Sequence, residues 1–367
     1  MTALLELRGL TVELPTPGGW VRPVNEVSLR LERGASLGLV GESGSGKTML
    51  SLALMGLLPL GARVTGSAIF DSANGKNVGG EDSDGPVDLA RLKEDEWTGI
   101  RGRRIAMVFQ EPMTALNPVM RVGKQIAEAI RVHHRALNSA EVARRVVEAL
   151  TRASVPEPEL RARQYPHELS GGLRQRVLIA MAIAAGDGVG GNFGEPGDGA
   201  KLEAGGSQTR PYDGENKNRT GSGRLLIADE PTTALDVTVQ KQILELLMGL
   251  RRDLGLSLIF ITHDLAVVAQ VADRLAVMYA GRVVEEGPTM EVLRAPRHPY
   301  TEGLLRASPQ LLRRELVAIP GMVPGLDAMP PGCAFEPRCA VRRDECKLAV
   351  PEMRVAGEGH GARCVLV

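Results

Sequence analysis

The sequence predicts an α/β protein: a parallel sheet covered by helices on both faces, preceded by an antiparallel β unit. Three observations carry that prediction. Four uninterrupted apolar runs, SLGLV (36–40), RIAMVF (104–109), RLLIADE (224–230) and SLIFITHD (257–264), alternate with helical patterns, as strands buried on both faces do. The first runs into the glycine loop GESGSGKT (41–48) and then into the apolar helix TMLSLALMGLL. Ahead of it, residues 3–14 and 24–32 alternate apolar and polar residues around the turn-forming PTPGG, as half-buried antiparallel strands do.

Taken in order, the remaining segments extend this plan. Residues 71–99 are rich in Gly, Asp, Asn and Ser and read as a long surface loop. From Val122 to Ala185 the pattern is helical, including the amphipathic SAEVARRVVEALTRA, so a helical subdomain over about 111–185 is expected inside the α/β core. Residues 186–223 are dominated by glycine and polar side chains, bury too little to offset chain entropy, and read as a disordered insert. A helix around Val239–Leu250 separates the last two buried strands. These parts form one unit over 1–290, and the Pro-rich region 291–367 reads as a separate appendage.

Composition narrows the function. The 367 residues are 43% apolar and 24% charged, ordinary for a globular protein. Lys plus Arg and Asp plus Glu both total 44, so no broad basic face for nucleic acid is implied. The longest apolar stretch, Met49–Leu60, is shorter than the roughly 20 residues that span a bilayer. The N-terminus lacks a basic start followed by an apolar block, so a cytoplasmic location is the expectation.

The loop Gly41-Glu42-Ser43-Gly44-Ser45-Gly46-Lys47-Thr48 matches the phosphate-binding P-loop. Backbone N–H groups and a helix N-terminus surround phosphates, Lys47 adds positive charge and Thr48 offers a ligand to Mg2+. Alone, it says that a nucleotide binds. LLIADE brings Asp229 and Glu230 to the carboxyl end of a strand, where ligands of parallel sheets sit. Asp229 suits the metal and Glu230 the attacking water, the two things phosphoryl transfer needs. Leu169-Ser170-Gly171-Gly172 opens the helix LRQRVLIAMAIAA. Ser170 is a favoured N-cap and Gly171 and Gly172 let backbone N–H groups approach an anion, so this is a second phosphate-receiving helix start. A chain that already has a P-loop has use for another if it serves a partner chain's ATP, which implies a head-to-tail dimer.

Here the sequence resembles the ABC ATPase family, whose motifs follow in order: Gln110 in FQEPMTALNP, LSGG at 169–172, Glu230, ALD at 234–236 and His263 in ITHD. The resemblance implies a RecA-like P-loop core with an antiparallel β subdomain and a helical subdomain. It also implies that Gln110 senses the γ-phosphate and Mg2+ and links them to a membrane partner, that Asp236 communicates across the dimer, and that His263 contacts the γ-phosphate. Leu173 departs from the commonest family residue, glutamine, as it does in the peptide branch. Trp20 is the aromatic nearest the position that stacks on adenine in the family, with a packing role as the alternative. DEPTTALDVTVQKQIL, MYAGRVVEEG, RHPYTEGLL and PGCAFEPRCAVRRDEC are similar to the ATPases of oligopeptide, dipeptide and nickel importers. In that branch the ATPase joins a second ATPase, identical or paralogous, two membrane-spanning permeases and an extracytoplasmic solute-binding protein, at the cytoplasmic side of the inner membrane. Peptide is the expected cargo, with nickel or another small solute as the alternative within the branch. A soluble ABC ATPase is the alternative outside it, although the single motor and the lack of sustained heptads speak for transport.

The four cysteines, Cys333, Cys339, Cys346 and Cys364, are separated by five, six and seventeen residues. Zinc sites usually contain one pair two to four residues apart, so this spacing suits an iron–sulfur cluster better, with zinc or free thiols as alternatives. The importer branch implies a [4Fe–4S] cluster at these positions.

Overall fold

A computed structural model describes residues 3–71, 85–186, 222–233, 235–308 and 318–367. Most of the 186–223 insert and part of the 71–99 segment therefore lie outside the described residues. In chain order, β1 (Ala3–Thr16) and β2 (Gly19–Glu32) form a hairpin, β3 (Ser36–Val40) leads into α1 (Lys47–Leu54), and β4 (Arg63–Phe70) and β5 (Val87–Asp88) follow. Then come α2 (Glu94–Trp97), β6 (Ile105–Val108), α3 (Pro112–Ala115), α4 (Val122–His133), α5 (Ser139–Arg152), α6 (Pro158–Ala162) and α7 (Gly171–Ala184). The second half holds β7 (Leu225–Asp229), α8 (Val237–Leu254), β8 (Ser257–Thr262), α9 (Leu265–Val271), β9 (Arg274–Tyr279) and β10 (Arg282–Pro288). It closes with α10 (Thr289–Arg294), α11 (Pro299–Arg306), α12 (Glu345–Leu348), β11 (Arg354–Gly357) and β12 (His360–Ala362).

Among the described residues these strands form two sheets, β2-β1-β4-β5 and β11-β12-β10-β9-β3-β8-β7-β6. The first is antiparallel, and the centre of the second, from β9 through β3, β8 and β7 to β6, is parallel. Uninterrupted apolar strands are needed there because alternate side chains enter different cores. Leu225, Ile227, Ile259 and Ile261 face the antiparallel sheet and α1, whereas Leu226, Ala228, Leu258 and Phe260 face the helices. α4 and α5 bury only one stripe each, and α5 starts in a capping box in which Asn138 accepts the N–H groups of Ala140 and Glu141.

Two sequence expectations are corrected. The described end of the 71–99 segment is not a surface loop: β5 joins the antiparallel sheet and Trp97 is buried in its core. Gly56 lies beneath that indole with φ +62°, and a Cβ there would stand 2.3 Å from the Trp97 ring. Aromatic content this low in the 71–99 composition hid one anchoring residue. Trp97→Ala is expected to lower unfolding stability by about 3–5 kcal/mol, read by chemical denaturation, because the indole leaves a cavity against an immobile backbone.

The C-terminal region is likewise not a separate appendage. β12 pairs antiparallel with β10, and β11 with β12, so the region extends the main sheet. Buried Glu285 on β10 fastens it: its carboxylate accepts the N–H groups of Arg297 (2.7 Å) and His298 (2.9 Å) and lies 2.7 Å from His360 Nε2. Sequence patterning missed this because β12 is three residues long.

Candidate functional site: a phosphate loop at the carboxyl edge of the sheet

β3, β6, β7 and β8 run parallel, so the residues after them gather at one edge. After β3 the chain turns through the glycine loop, and geometry requires its glycines. Gly46 has φ +100°, and a Cβ on it would lie 2.1 Å from the Pro23 carbonyl oxygen; one on Gly41 would lie 2.2 Å from that of Met278. Gly44 also has a positive φ, and Ser45 is fixed by the Gly281 N–H, which donates to its carbonyl at 3.0 Å. Lys47 opens α1 and is 6% exposed. Its Nζ donates to Gly41 O (2.7 Å), Glu42 O (2.9 Å) and Ser45 Oγ (3.1 Å). Burial holds its pKa below the ordinary lysine value, against the pull of Glu230, Asp229 and Glu42.

Asp229 ends β7 at 2% exposure, and burial raises its pKa although a hydrogen bond from Thr48 opposes the rise. Its Oδ1 is buried without a hydrogen-bond partner among the described residues. A buried carboxylate oxygen left unpaired is costly, and here it lies beside a threonine hydroxyl and a lysine. Oxygen donors of this kind fit Mg2+, and Asp229 and Thr48 are placed where they could hold it.

Glu230 stands just beyond the strand with φ 45°, a strained conformation for a non-glycine residue, pinned by its N–H donating to Ile261 O at 2.9 Å. Its carboxylate gathers three neighbours. Gln110 Nε2 donates to Oε2 at 3.0 Å, Thr233 Oγ1 donates to the same oxygen at 2.8 Å, and His263 Nδ1 lies 3.5 Å from Oε1. The His263 contact is the chief cause of a Glu230 pKa below the ordinary carboxylate range, and Glu230 in turn raises that of His263. An ionised carboxylate so oriented can hold and polarise a water. Thr233 was not among the sequence-predicted residues; it lies in the same DEPTTALD run, three residues after Glu230.

Ser170, Gly171, Gly172 and Asp236 form a second group. Ser170 caps α7, its Oγ accepting the Leu173 N–H at 3.4 Å, and Asp236 caps α8, its Oδ1 accepting the Val239 N–H at 2.9 Å. The helix starts abut: a Cβ on Gly172 would lie 2.8 Å from Val239 Cγ1, and one on Gly171 3.7 Å from Leu235. No hydrogen bond among the described residues joins this group to the first; Ala234 of the ALD run lies outside them. Trp20 is on β2 near the hairpin turn, 43% exposed, with the Arg63 guanidinium 3.8 Å from its ring centroid.

The four cysteines line one cavity of about 10 Å3 with His298, Phe335 and Glu336. Burial pushes the Cys333 thiol up to about 11 and raises those of Cys339 and Cys364. Four thiols lining one cavity are a donor set suited to soft metals. Among the described residues, however, no three His, Cys, Asp or Glu side chains are grouped so as to hold a metal ion.

A phosphate loop, a strand-end acid pair and a second capped glycine helix on a two-sheet α/β frame define a nucleotide-binding cassette. Residues 24–189 match the ABC transporter family and residues 284–346 the C-terminal region of oligopeptide/dipeptide transporters. A protein of Brucella ovis named "Putative peptide import ATP-binding protein" is 44% identical over 99% of this chain and 96% of its own length. Another so named, from Brucella abortus, is 43% identical over 98% of this chain and 94% of its own. Among solved structures, the ATP-binding cassette MJ0796, a dimer bound to ADP and Pi, superposes with a TM-score of 0.57 at 23% identity, covering 78% of this chain and 98% of that one. CbiO1 of Clostridium perfringens gives 0.56 at 22%, covering 80% and 92%. The chain belongs to the ABC transporter ATPases, in the oligopeptide/dipeptide branch.

Proposed function

We propose that this protein hydrolyses ATP to drive the import of short peptides, working as a peripheral subunit on the cytoplasmic side of the inner membrane. The observation that carries hydrolysis is the Glu230 carboxylate, ionised and held by Gln110, Thr233 and His263 at the mouth of the phosphate loop. In this reading residues 41–48 cradle the phosphates, with Lys47 supplying fixed charge. Thr48 and Asp229, with Gln110 beside them, would hold Mg2+, which would supply charge neutralisation for the phosphates. Glu230 orients the attacking water and takes up its proton, and His263 meets the γ-phosphate. Ser170, Gly171, Gly172 and Asp236 serve the nucleotide of a second ATPase subunit.

Peptide as cargo is supported by the names of the Brucella relatives and by the match of residues 284–346. No helix among the described residues is long and apolar enough to cross a membrane. In this reading two permease subunits supply the path and an extracytoplasmic binding protein the specificity, as the kinship with peptide-import ATP-binding proteins suggests. Residues 1–290 are assigned as the nucleotide-binding unit. Its helical arm, 111–185, borders a cleft of about 490 Å3 lined by Met55, Met107, Phe109, Ala115, Leu178 and Met181, next to Gln110. Phe109 of its lining is exposed, as is Met113 in the neighbouring α3, which suits docking of a permease segment. The assembled complex in vesicles should show ATPase activity stimulated by peptide-loaded binding protein; activity indifferent to every peptide pool would remove the peptide assignment.

We assign the four cysteines in region 291–367 to a [4Fe–4S] cluster, supported by the cavity they share, with zinc the alternative. Protein purified without oxygen should be brown and carry about four irons per chain, and Cys339→Ser or Cys346→Ser should bleach it while ATP binding survives. Colourless protein with one zinc favours the alternative, and metal-free, alkylatable thiols remove both.

A further inference from the structure

The phosphate loop is held from outside by side chains that belong to none of the nucleotide motifs. The Glu42 N–H donates to Tyr300 Oη at 2.8 Å. The Glu42 carboxylate receives a two-pronged bond from Arg338, Nη1 to Oε2 at 2.7 Å and Nη2 to Oε1 at 3.0 Å. The Arg338 side chain is only 6% exposed. Its Nε donates to Pro320 O at 2.9 Å, and its guanidinium lies 5.8 Å from the Tyr279 ring centroid and 5.9 Å from that of Phe335. Phe335 in turn packs against Tyr279 and Tyr300, each at 5.3 Å between centroids. A planar guanidinium doubly bonded to a carboxylate, and donating from Nη1 to Tyr279 Oη at 3.3 Å as well, is held in one orientation.

Glu42 is poorly placed for a protein that binds a polyanion. Its own carbonyl accepts Lys47 Nζ at 2.9 Å, and the charge on its carboxylate is felt by the ammonium that phosphates require. Left unpaired, that carboxylate would compete for Lys47 and repel the incoming phosphates.

We infer that Arg338 is a positioning residue of the phosphate loop: it offsets the charge of Glu42 and holds its carboxylate in a two-pronged bond, so that the turn between Cys333 and Cys339 completes the nucleotide site of its own chain. The inference rests on the ATP-binding reading of residues 41–48. It makes a specific demand on a double-mutant cycle in the full chain with MgATP as the probe. Arg338→Ala should weaken equilibrium binding about tenfold and raise KM with kcat kept within about twofold. Adding Glu42→Gln should restore affinity to within about threefold of the parent, because the charge that Arg338 controls is then gone. Should alanine at 338 unfold the chain, Arg338→Met keeps the apolar stem and makes the same demand. Parent protein that does not bind MgATP would overturn the nucleotide reading itself. Parent protein that binds, with the Arg338 variants within about twofold of it or with no recovery on adding Glu42→Gln, would overturn this inference alone.

Discussion

Glu230→Gln is expected to lower steady-state ATP turnover by about 100- to 10,000-fold while leaving nucleotide binding in place. Glutamine keeps the size of the side chain and an oxygen that can still accept from Gln110 and Thr233, which bond Glu230 at 3.0 and 2.8 Å. What it loses is the negative charge and the ability to take a proton from water. ATP should therefore bind and stay, trapped between two subunits. A second readout is independent of turnover. Glu230 is the chief cause of the raised His263 pKa, so titration of that imidazole by NMR should move toward its ordinary value in the variant. An unchanged turnover rate removes Glu230 as the base; an unchanged His263 titration removes the contact between them.

Lys47→Ala is expected to weaken MgATP binding by about 10- to 150-fold, the worth of a charge-assisted hydrogen bond of about 1.5–3 kcal/mol. The loss has two sources. The phosphates lose their one fixed cation from α1, and the Gly41 and Glu42 carbonyls with Ser45 Oγ lose the donor they share. The loop that those three bonds close should loosen before any nucleotide arrives. Equilibrium binding of MgATP, with a thermal melt to show that the sheet remains intact, measures the effect. Undiminished affinity would remove Lys47 from the site.

The parts of the site legible in the sequence are those in which spacing along the chain fixes spacing in space. GESGSGKT, LLIADE and ITHD each join a strand end to its functional residues, and parallel pairing then brings the ends together. Thr233 was within reach of the same logic, because a residue three after Glu230 in a tight turn can face it. Arg338 was not: 296 residues separate it from Glu42, and Tyr300 is 258 residues away. Nothing local marks an arginine in PGCAFEPRC as a partner for a phosphate loop. Trp97 was hidden by the polar composition around it, and β11 and β12 by their brevity, since three or four residues carry no periodicity.

The fastening of β12 by Glu285 also sets a timetable for synthesis. Glu285 and His360 are 75 residues apart, so β10 leaves the ribosome well before the strand that covers its edge. Through that interval the growing chain carries an open strand edge and a carboxylate lacking its imidazole neighbour, both invitations to mispairing. Nascent chains stalled before residue 360 should accordingly lean on chaperones more than chains stalled after it, and the nucleotide sheet of this ATPase matures last at the border farthest from β6.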